Sequence, residues 1–183
     1  TPANGGNTSG GGSYSANSSV TVSVSPNSGW SFVEWKENGN FVSSSPNYTF
    51  TINGNRNLEA VFEPIHYTVT VFSTPANGGV ITGGGFFPAN SNLTVTVSPN
   101  PGWIFVEWKE NGNVVSNSPS YSFTLTGHRT LEAVFKIESY TINVNALPAN
   151  GGTISGTGTY QVGVTASLVA IPSSNYKFIN YEE

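Results

Sequence analysis

The chain lacks several residue types on which whole classes of protein depend. Its 183 residues include no cysteine, no methionine and no aspartate, so all ten acidic residues are glutamates. Without cysteine, the chain can form neither a disulfide framework nor a thiolate-based zinc or iron–sulfur site. Without aspartate, it can form neither an Asp-rich calcium loop nor a Ser-His-Asp triad.

Charge is scarce as well. Charged residues make up 9% of the chain, compared with about 25% in an average globular protein. Six Lys and Arg residues against ten glutamates give a net charge of −4, so we expect no nucleic-acid partner. Apolar runs such as residues 168–171 are much shorter than the about 18 residues that cross a bilayer, so we expect no membrane insertion. The aromatic content of 13% nevertheless predicts a folded chain rather than a disordered one.

A repeat of 73 residues organises the sequence. The motif Pro-Ala-Asn-Gly-Gly occurs at residues 2–6, 75–79 and 148–152. Copies one and two share 46 of 73 positions, and copies two and three share 11 of the 37 that overlap, without a gap. The unit is longer than the roughly 20–45 residues of stacked solenoid repeats, and it is long enough to hold a small core.

We therefore predict three tandem domains, at residues 1–65, 66–138 and 139–183, arranged as beads on a string. In the 73-residue frame, the first copy lacks the strand equivalent to residues 67–72, and the third lacks the strands equivalent to residues 114–135. The joints, residues 63–66 and 136–139, are short and contain no Gly/Ser-rich stretch, so we expect neighbouring domains to be held semi-rigidly.

The pattern within one copy predicts an all-β fold with no significant helix. Residues 67–71 and 93–97 alternate apolar side chains with threonine, which indicates half-buried strands. Asn111-Gly112 predicts a two-residue hairpin loop with a type I′ turn, because both residue types tolerate a positive φ. With that loop, Trp108 is expected to face Val115.

The parity of the aromatic residues in the strand before this hairpin is informative. Trp103 and Phe105 share one face, whereas Trp108 falls on the other. Either the strand is buried on both faces, or a β-bulge near Val106 and Glu107 returns Trp108 to the core. We favour the bulge, because an exposed tryptophan repeated at positions 35 and 108 would make an adhesive surface.

As an ordered set, the motifs resemble a known family. In the second copy they are Tyr-x-Val-x-Val at 67–71, Pro-Ala-Asn-Gly-Gly at 75–79, Gly-Trp-x-Phe-Val-x-Trp at 102–108, Tyr-x-Phe-Thr at 121–124 and Leu-x-Ala-x-Phe at 131–135. This order is similar to the divergent internalin-type B-repeat of bacterial surface proteins, and the similarity covers nearly the whole chain.

The resemblance implies a small β-sheet domain related to the β-grasp fold, usually found in tandem in large secreted or wall-attached proteins. It implies no catalytic residues, because the marked positions of the family are core aromatics and turn glycines. Glu34 and Glu107 depart from the pattern, since members often have a small residue there. The third copy replaces both tryptophans with tyrosines, Tyr176 and Tyr181.

Candidate chemical sites are few. Glu34 and Glu107 lie between aromatic residues, where burial would raise a carboxyl pKa, but a solvent-facing place at the bulge is the interpretation we favour. His66 and His128 occupy non-equivalent repeat positions, so we predict no metal site and no cofactor. Lysines such as Lys36 leave a Lys–Asn isopeptide cross-link open, which intact mass would reveal as a loss of ammonia.

Four aromatic residues follow or lie within Gly-rich loops and are candidate binding residues: Tyr14, Phe86, Phe87 and Tyr160. Exposed aromatic rings form platforms for carbohydrates or proteins. The alternative, which we favour, is that these rings cover the edge of the core.

The sequence thus predicts a non-catalytic, extracellular spacer or stalk of a bacterial cell-surface or secreted protein, with an adhesive role as a variant. One alternative is a module that binds a glycan or a host protein. Another is a fibre subunit that assembles by strand addition, because the first and third copies are expected to leave sheet edges open. The expected partners are accordingly other copies of the chain, or a surface glycan or protein.

Overall fold

The computed structural model describes residues 4–182, and within that range the chain is all-β, as predicted. It forms eighteen strands and no helix. The strands are β1 Gly6–Ser9, β2 Ser19–Pro26, β3 Trp30–Glu37, β4 Asn40–Ser43, β5 Asn47–Thr51, β6 Leu58–Pro64, β7 His66–Thr74, β8 Gly79–Thr82, β9 Gly85–Pro88, β10 Asn92–Pro99, β11 Trp103–Glu110, β12 Asn113–Ser116, β13 Ser120–Thr124, β14 Arg129–Ile137, β15 Ser139–Ile142, β16 Gly152–Ser155, β17 Gly158–Gln161 and β18 Val169–Pro172.

These strands form two small sheets in each repeat. The first repeat has the orders β1-β2-β5 and β4-β3-β6, and the second has β8-β10-β13 and β12-β11-β14-β7-β9. The third has the two-stranded pairs β15-β17 and β16-β18. Strands at equivalent positions of the 73-residue frame take equivalent places: β1, β8 and β16 pair with β2, β10 and β18, respectively.

The chain also divides into two compact units whose limits do not follow the repeat frame. One comprises Thr1–Val71, Gly83–Val95 and Ser120–Leu131, and the other Phe72–Thr82, Thr96–Pro119 and Glu132–Glu183. The first unit holds the whole core of the first repeat and the joint after it. The second holds the joint between the second and third repeats.

A β-bulge places the second tryptophan of the aromatic motif in the core. In the β3–β6 ladder, Phe32 pairs with Phe62 and Glu34 with Val61, so Val33 is the extra residue. The bulge reverses the parity of the strand, and Trp35 lies in the core with 2% of its surface exposed. The prediction of a bulge is confirmed in the first repeat, and Trp108 is fully buried in the second.

The hairpin that follows has the predicted two-residue loop. Asn38 and Gly39 have φ values of 51° and 79°, and Asn111 and Gly112 have 50° and 80°, as a type I′ turn requires. The expected pairing of Trp108 with Val115 is wrong. Trp108 pairs with Ser116, because a second irregularity lies between Trp108 and Lys109.

The third repeat has the same strand pattern at its start but no buried side chain within residues 139–182. Phe178 and Tyr181 are each 47% exposed. Their rings contact each other, with centroids 4.8 Å apart, but Tyr181 does not reach the burial of Trp35 or Trp108.

Glycine in the Pro-Ala-Asn-Gly-Gly turn lets a phenylalanine pack directly on the backbone. A Cβ atom on Gly78 would lie 2.6 Å from Cβ of Phe135, and one on Gly5 would lie 2.6 Å from Cβ of Phe62. Both phenylalanines are core residues, with 5% and 8% of their surface exposed. The turn therefore needs glycine for close approach rather than for a positive φ.

Replacement of this glycine should destabilise the fold. We expect Gly78→Ala to lower the free energy of unfolding by about 1–3 kcal/mol, because an inserted methyl group would displace the ring of Phe135. Urea denaturation followed by tryptophan fluorescence measures the change. The matched control is Gly127→Ala, where an added Cβ would meet nothing within 4 Å; equal losses in the two variants would contradict the packing argument.

Candidate functional site

Each joint between repeats contains a single residue outside the strands. β6 ends at Pro64 and β7 begins at His66, so only Ile65 lies between them. β14 ends at Ile137 and β15 begins at Ser139, which leaves only Glu138. A joint of one residue has few free dihedral angles, so its geometry depends on where its backbone groups bond.

Both backbone groups of the joint residue are hydrogen-bonded in the same way at the two joints. The N–H of Ile65 donates to the carbonyl of Gly29 at 2.8 Å, and the N–H of Ala89 donates to the carbonyl of Ile65 at 2.8 Å. At the next joint, the N–H of Glu138 donates to Gly102 at 2.8 Å, and that of Val162 to Glu138 at 2.9 Å. These residues are equivalent in the 73-residue frame. The joint residue thus ties the repeat before it to the repeat after it.

The glycine that accepts this bond has a special conformation and close neighbours. Gly29 has a φ of 83° and Gly102 a φ of 80°, and Asn175 keeps the same conformation in the third repeat with a φ of 69°. A Cβ on Gly29 would lie 2.7 Å from Nδ2 of Asn90, across the joint. Glycine is therefore favoured here both by its φ and by the contact between repeats.

The first joint has an additional side-chain bond that the second lacks. Nδ2 of Asn90 donates to Oγ of Ser28 at 3.1 Å, linking the second repeat to the first. The equivalent positions at the second joint are Gly163 and Pro101, which carry neither group. The hydrogen bonds common to both joints are therefore those of the backbone.

Two histidines lie beside the first joint, at the start of β7. Nδ1 of His66 donates to the carbonyl of Pro64 at 3.0 Å, and Nδ1 of His128 accepts from the N–H of Thr68 at 3.0 Å. Both rings are thus engaged by backbone groups. In the part of the chain that the structure describes, no three His, Asp, Glu or Cys side chains group closely enough to hold a metal ion.

Three of the four predicted binding residues occupy one repeat position. Tyr14, Phe87 and Tyr160 are equivalent in the 73-residue frame. The hydroxyl of Tyr14 donates to the carbonyl of Gly10 at 2.9 Å, and that of Tyr160 donates to Gly156 at 2.5 Å. The two tyrosines therefore close back onto the Gly-rich loops of their own repeats, and the ring of Phe87 likewise lies against Gly85.

Phe86, the fourth predicted binding residue, is placed differently. It is 66% exposed, and its ring stacks on His66 with centroids 4.9 Å apart and an interplanar angle of 13°. The equivalent residues in the other repeats are Ser13 and Thr159. Of these three equivalent residues only Phe86 is aromatic, so only the second repeat can form this exposed stack beside the joint.

The candidate acidic residues form surface ion pairs. Lys36 Nζ lies 3.1 Å from Oε1 of Glu34, and Lys109 Nζ lies 3.0 Å from Oε1 of Glu107. Each lysine is two residues from its glutamate on the same strand, so both side chains lie on one face. A solvent-accessible ion pair of this kind contributes little to stability.

A stronger ionic contact joins β3 to the loop after β5. Arg56 binds Glu37 through both ends of its guanidinium group, with Nη2 to Oε2 at 2.7 Å and Nε to Oε1 at 3.1 Å. The guanidinium carbon also lies 4.3 Å from the centroid of Phe50. The hydrogen bonds from Arg56 lower the pKa of Glu37 below its usual value of 4.5 and raise the pKa of Arg56.

The role of Gly29 and Gly102 in the joints was not predicted from the sequence. The available signal was that positions 29, 102 and 175 hold Gly, Gly and Asn, the residues that best tolerate a positive φ. No signal identified Ile65 and Glu138, because the bonds that the two joints share involve only backbone groups. The side chain of Glu138 also accepts a hydrogen bond from the hydroxyl of Tyr140 at 2.7 Å, but Ile65 has no equivalent group.

Comparison with known proteins gives one match. The family model for the divergent InlB B-repeat domain matches three consecutive segments, residues 1–66, 67–139 and 140–183. No curated protein and no solved structure matches the chain significantly. Within residues 4–182 there is no helix with the length and hydropathy needed to cross a bilayer.

The Glu37–Arg56 pair predicts a loss of stability in acid. A carboxyl group whose pKa is lowered on folding stabilises the folded state fully above its unfolded pKa, and this contribution disappears as the pH falls through the folded pKa. We therefore expect the urea midpoint to fall less between neutral pH and pH values below 4.5 in Glu37→Gln than in the unsubstituted chain. The control Glu63→Gln should follow the unsubstituted chain, and an unchanged acid dependence in Glu37→Gln would refute the assignment.

Proposed function

Because the chain belongs to the divergent InlB B-repeat domain family, whose tandem repeats are typical of bacterial surface proteins, we propose that it is a non-catalytic extracellular spacer. In this role the repeats hold another part of a surface or secreted protein at a distance. The family supports the surface-protein context, and the joints support the spacer role.

The observation that carries the proposal is the repeated hydrogen bonding of the joint residue. A spacer transmits a fixed distance only if each repeat is held in a set direction relative to the next. Ile65 and Glu138 each accept and donate one backbone hydrogen bond to residues on either side of the joint, with all four distances between 2.8 and 2.9 Å. A flexible linker would leave these groups to water.

The polar, weakly charged surface also suits a spacer. Threonine–threonine hydrogen bonds link exposed positions of neighbouring strands, as in Thr21 to Thr49 at 2.8 Å and Thr82 to Thr96 at 2.7 Å. Such cross-strand pairs stabilise a sheet without adding charge. Salt acts on a protein mainly by screening the interactions between its charges. Because this chain has few charges, we expect its length to be insensitive to salt.

Small-angle scattering tests the spacer role. A compact globule of this size would have a radius of gyration of about 16 Å, whereas a row of beads each roughly 30 Å across would give more than about 20 Å. We expect the larger value, unchanged by added salt and constant across a dilution series. A value near that of the globule would refute the spacer role, and growth with concentration would favour the fibre alternative.

A matched pair of variants tests whether the joint holds the repeats. Gly29→Ala and Gly39→Ala both place alanine at a positive φ, 83° and 79°, but only Gly29 faces Asn90 across the joint. We expect the Ile65 and Ala89 amides to exchange at least about tenfold faster in Gly29→Ala, which is about 1.4 kcal/mol of lost protection, and to remain protected in Gly39→Ala. Unchanged protection of the two amides in Gly29→Ala would contradict the proposal that the joint holds the repeats.

A second candidate function is binding of a glycan or a host protein, and the exposed Phe86–His66 stack favours it. Aromatic faces contact the apolar faces of sugars and are frequent at protein interfaces. Phe86 offers such a face with 66% exposure, whereas Phe87 is half-buried against its own loop. Phe86 is therefore the residue to change.

Phe86→Thr is the matched substitution, since threonine occupies the equivalent position 159. If Phe86 forms part of a binding site, a glycan array and a pull-down with host-cell proteins should show ligands of the unsubstituted chain that Phe86→Thr loses by about tenfold or more. Circular dichroism should show that the fold is intact. No ligand, or equal retention by both chains, would count against this second function.

A further inference from the structure

The chain contains six Asn-Gly dipeptides, and the structure places them in chemically different settings. They begin at Asn4, Asn38, Asn53, Asn77, Asn111 and Asn150. In such a pair, the glycine backbone nitrogen can approach the side-chain amide carbon of asparagine, because glycine has no Cβ to hinder the approach. Reaction requires this nitrogen to be accessible and free to move.

In the Pro-Ala-Asn-Gly-Gly turns, the glycine nitrogen is held in place. The N–H of Gly78 donates to the carbonyl of Pro75 at 2.9 Å, and the N–H of Gly151 donates to Pro148 at 2.8 Å. Gly78 is also buried beneath the ring of Phe135. The N–H of each glycine is therefore engaged in a hydrogen bond, whereas the reaction requires the nitrogen to lose this proton and to move.

At three other sites the dipeptide is open. Asn38-Gly39 and Asn111-Gly112 form the exposed tips of hairpins, and Asn53-Gly54 lies in the exposed loop between β5 and β6. A Cβ on any of the three glycines would meet nothing within 4 Å. Their N–H groups form no hydrogen bond within the described part of the chain.

We propose that Asn38, Asn53 and Asn111 are sites of spontaneous deamidation, and that Asn77 and Asn150 are protected by the fold. The glycine nitrogen loses its proton to water or hydroxide and bonds to Cγ of asparagine. The bond from Cγ to Nδ2 breaks, and Nδ2 takes up a proton from water and leaves as ammonia. Water then opens the resulting succinimide ring at either carbonyl, which leaves aspartate or isoaspartate.

Deamidation changes the net charge of the chain. The chain has no aspartate and a net charge of −4, and reaction at all three sites adds three negative charges, so that −4 − 3 gives −7. At each hairpin tip, the new carboxylate lies next to an existing one, Glu37 or Glu110. The isoaspartate product also adds a methylene group to the backbone of a type I′ turn, which that turn cannot accommodate without rearrangement.

The reactive positions are not equally distributed over the repeats. Asn53 is equivalent to Thr126, which has no side-chain amide, whereas Asn38 is equivalent to Asn111. The first repeat therefore carries two open sites and the second carries one. Asn53→Thr, which copies the second repeat, should remove one site and leave the others unchanged.

The proposal is tested by storing the folded chain in mildly alkaline buffer and then analysing its tryptic peptides by mass spectrometry. Trypsin cleavage after lysine and arginine places Asn38 and Asn53 in one peptide, residues 37–56, and Asn77, Asn111 and Asn150 in three others. Fragment spectra then locate each amide that has become an acid. We expect Asn38, Asn53 and Asn111 to react at least about tenfold faster than Asn77 and Asn150, which corresponds to about 1.4 kcal/mol in barrier height.

The same incubation in concentrated urea is the control. Unfolding removes the hydrogen bonds of Gly78 and Gly151, so Asn77 and Asn150 should then react at rates similar to the open sites. Equal rates at all five sites in the folded chain would overturn the proposal. A difference that persists in urea would also overturn it, because local sequence rather than the fold would be the cause. Neither outcome bears on the spacer role, which does not depend on these amides.

Discussion

The burial of one indole ring in each complete aromatic motif is the interaction on which the rest of the unit depends. A tryptophan buries about 150–250 Å², which at about 25 cal/mol per Å² amounts to roughly 4–6 kcal/mol. That is comparable with the whole net stability of a small domain, about 5–15 kcal/mol. Trp35 and Trp108 are 2% and 0% exposed. In the first repeat, the bulge at Val33 brings Trp35 into a core that also contains Phe62, the phenylalanine on the turn glycine.

The three repeats share a strand pattern but differ in packing. Where the motif has tryptophan, Phe32 or Phe105 packs beside it with centroids 5.9 Å apart. In the third repeat, the two equivalent positions hold Tyr176 and Tyr181. Tyr181 is half exposed, because the third repeat has, within residues 139–182, no counterpart of β14, which supplies the core residues Leu131, Ala133 and Phe135 in the second repeat. The short pairs β15-β17 and β16-β18 do not enclose a core.

Much of the fold could be predicted because its signals are local. The alternation of apolar residues with threonine predicted the strands, and Asn111-Gly112 predicted the turn. The position of Trp108 on the strand face opposite Trp103 and Phe105 indicated the bulge. The pairing of Trp108 could not be predicted, because the register shift between Trp108 and Lys109 follows from no residue type in the strand. The joints were only partly predictable: their shortness was visible, but the bonds of Ile65 and Glu138 involve backbone groups, which all residues share. The aromatic residues of the Gly-rich loops were visible too, yet the sequence could not distinguish Phe86 from Phe87.

The joint residue has one further consequence. Isoleucine and glutamate occupy the same place at positions 65 and 138, and their backbone groups make the same bonds, with lengths that agree within 0.1 Å. The connection between neighbours therefore requires no matched pair of side chains, and it can be copied together with the segment that contains it. Duplication or loss of a whole 73-residue segment between two existing copies would leave each remaining connection chemically intact. The length of such an array can thus change by genetic recombination alone, without compensating substitutions elsewhere.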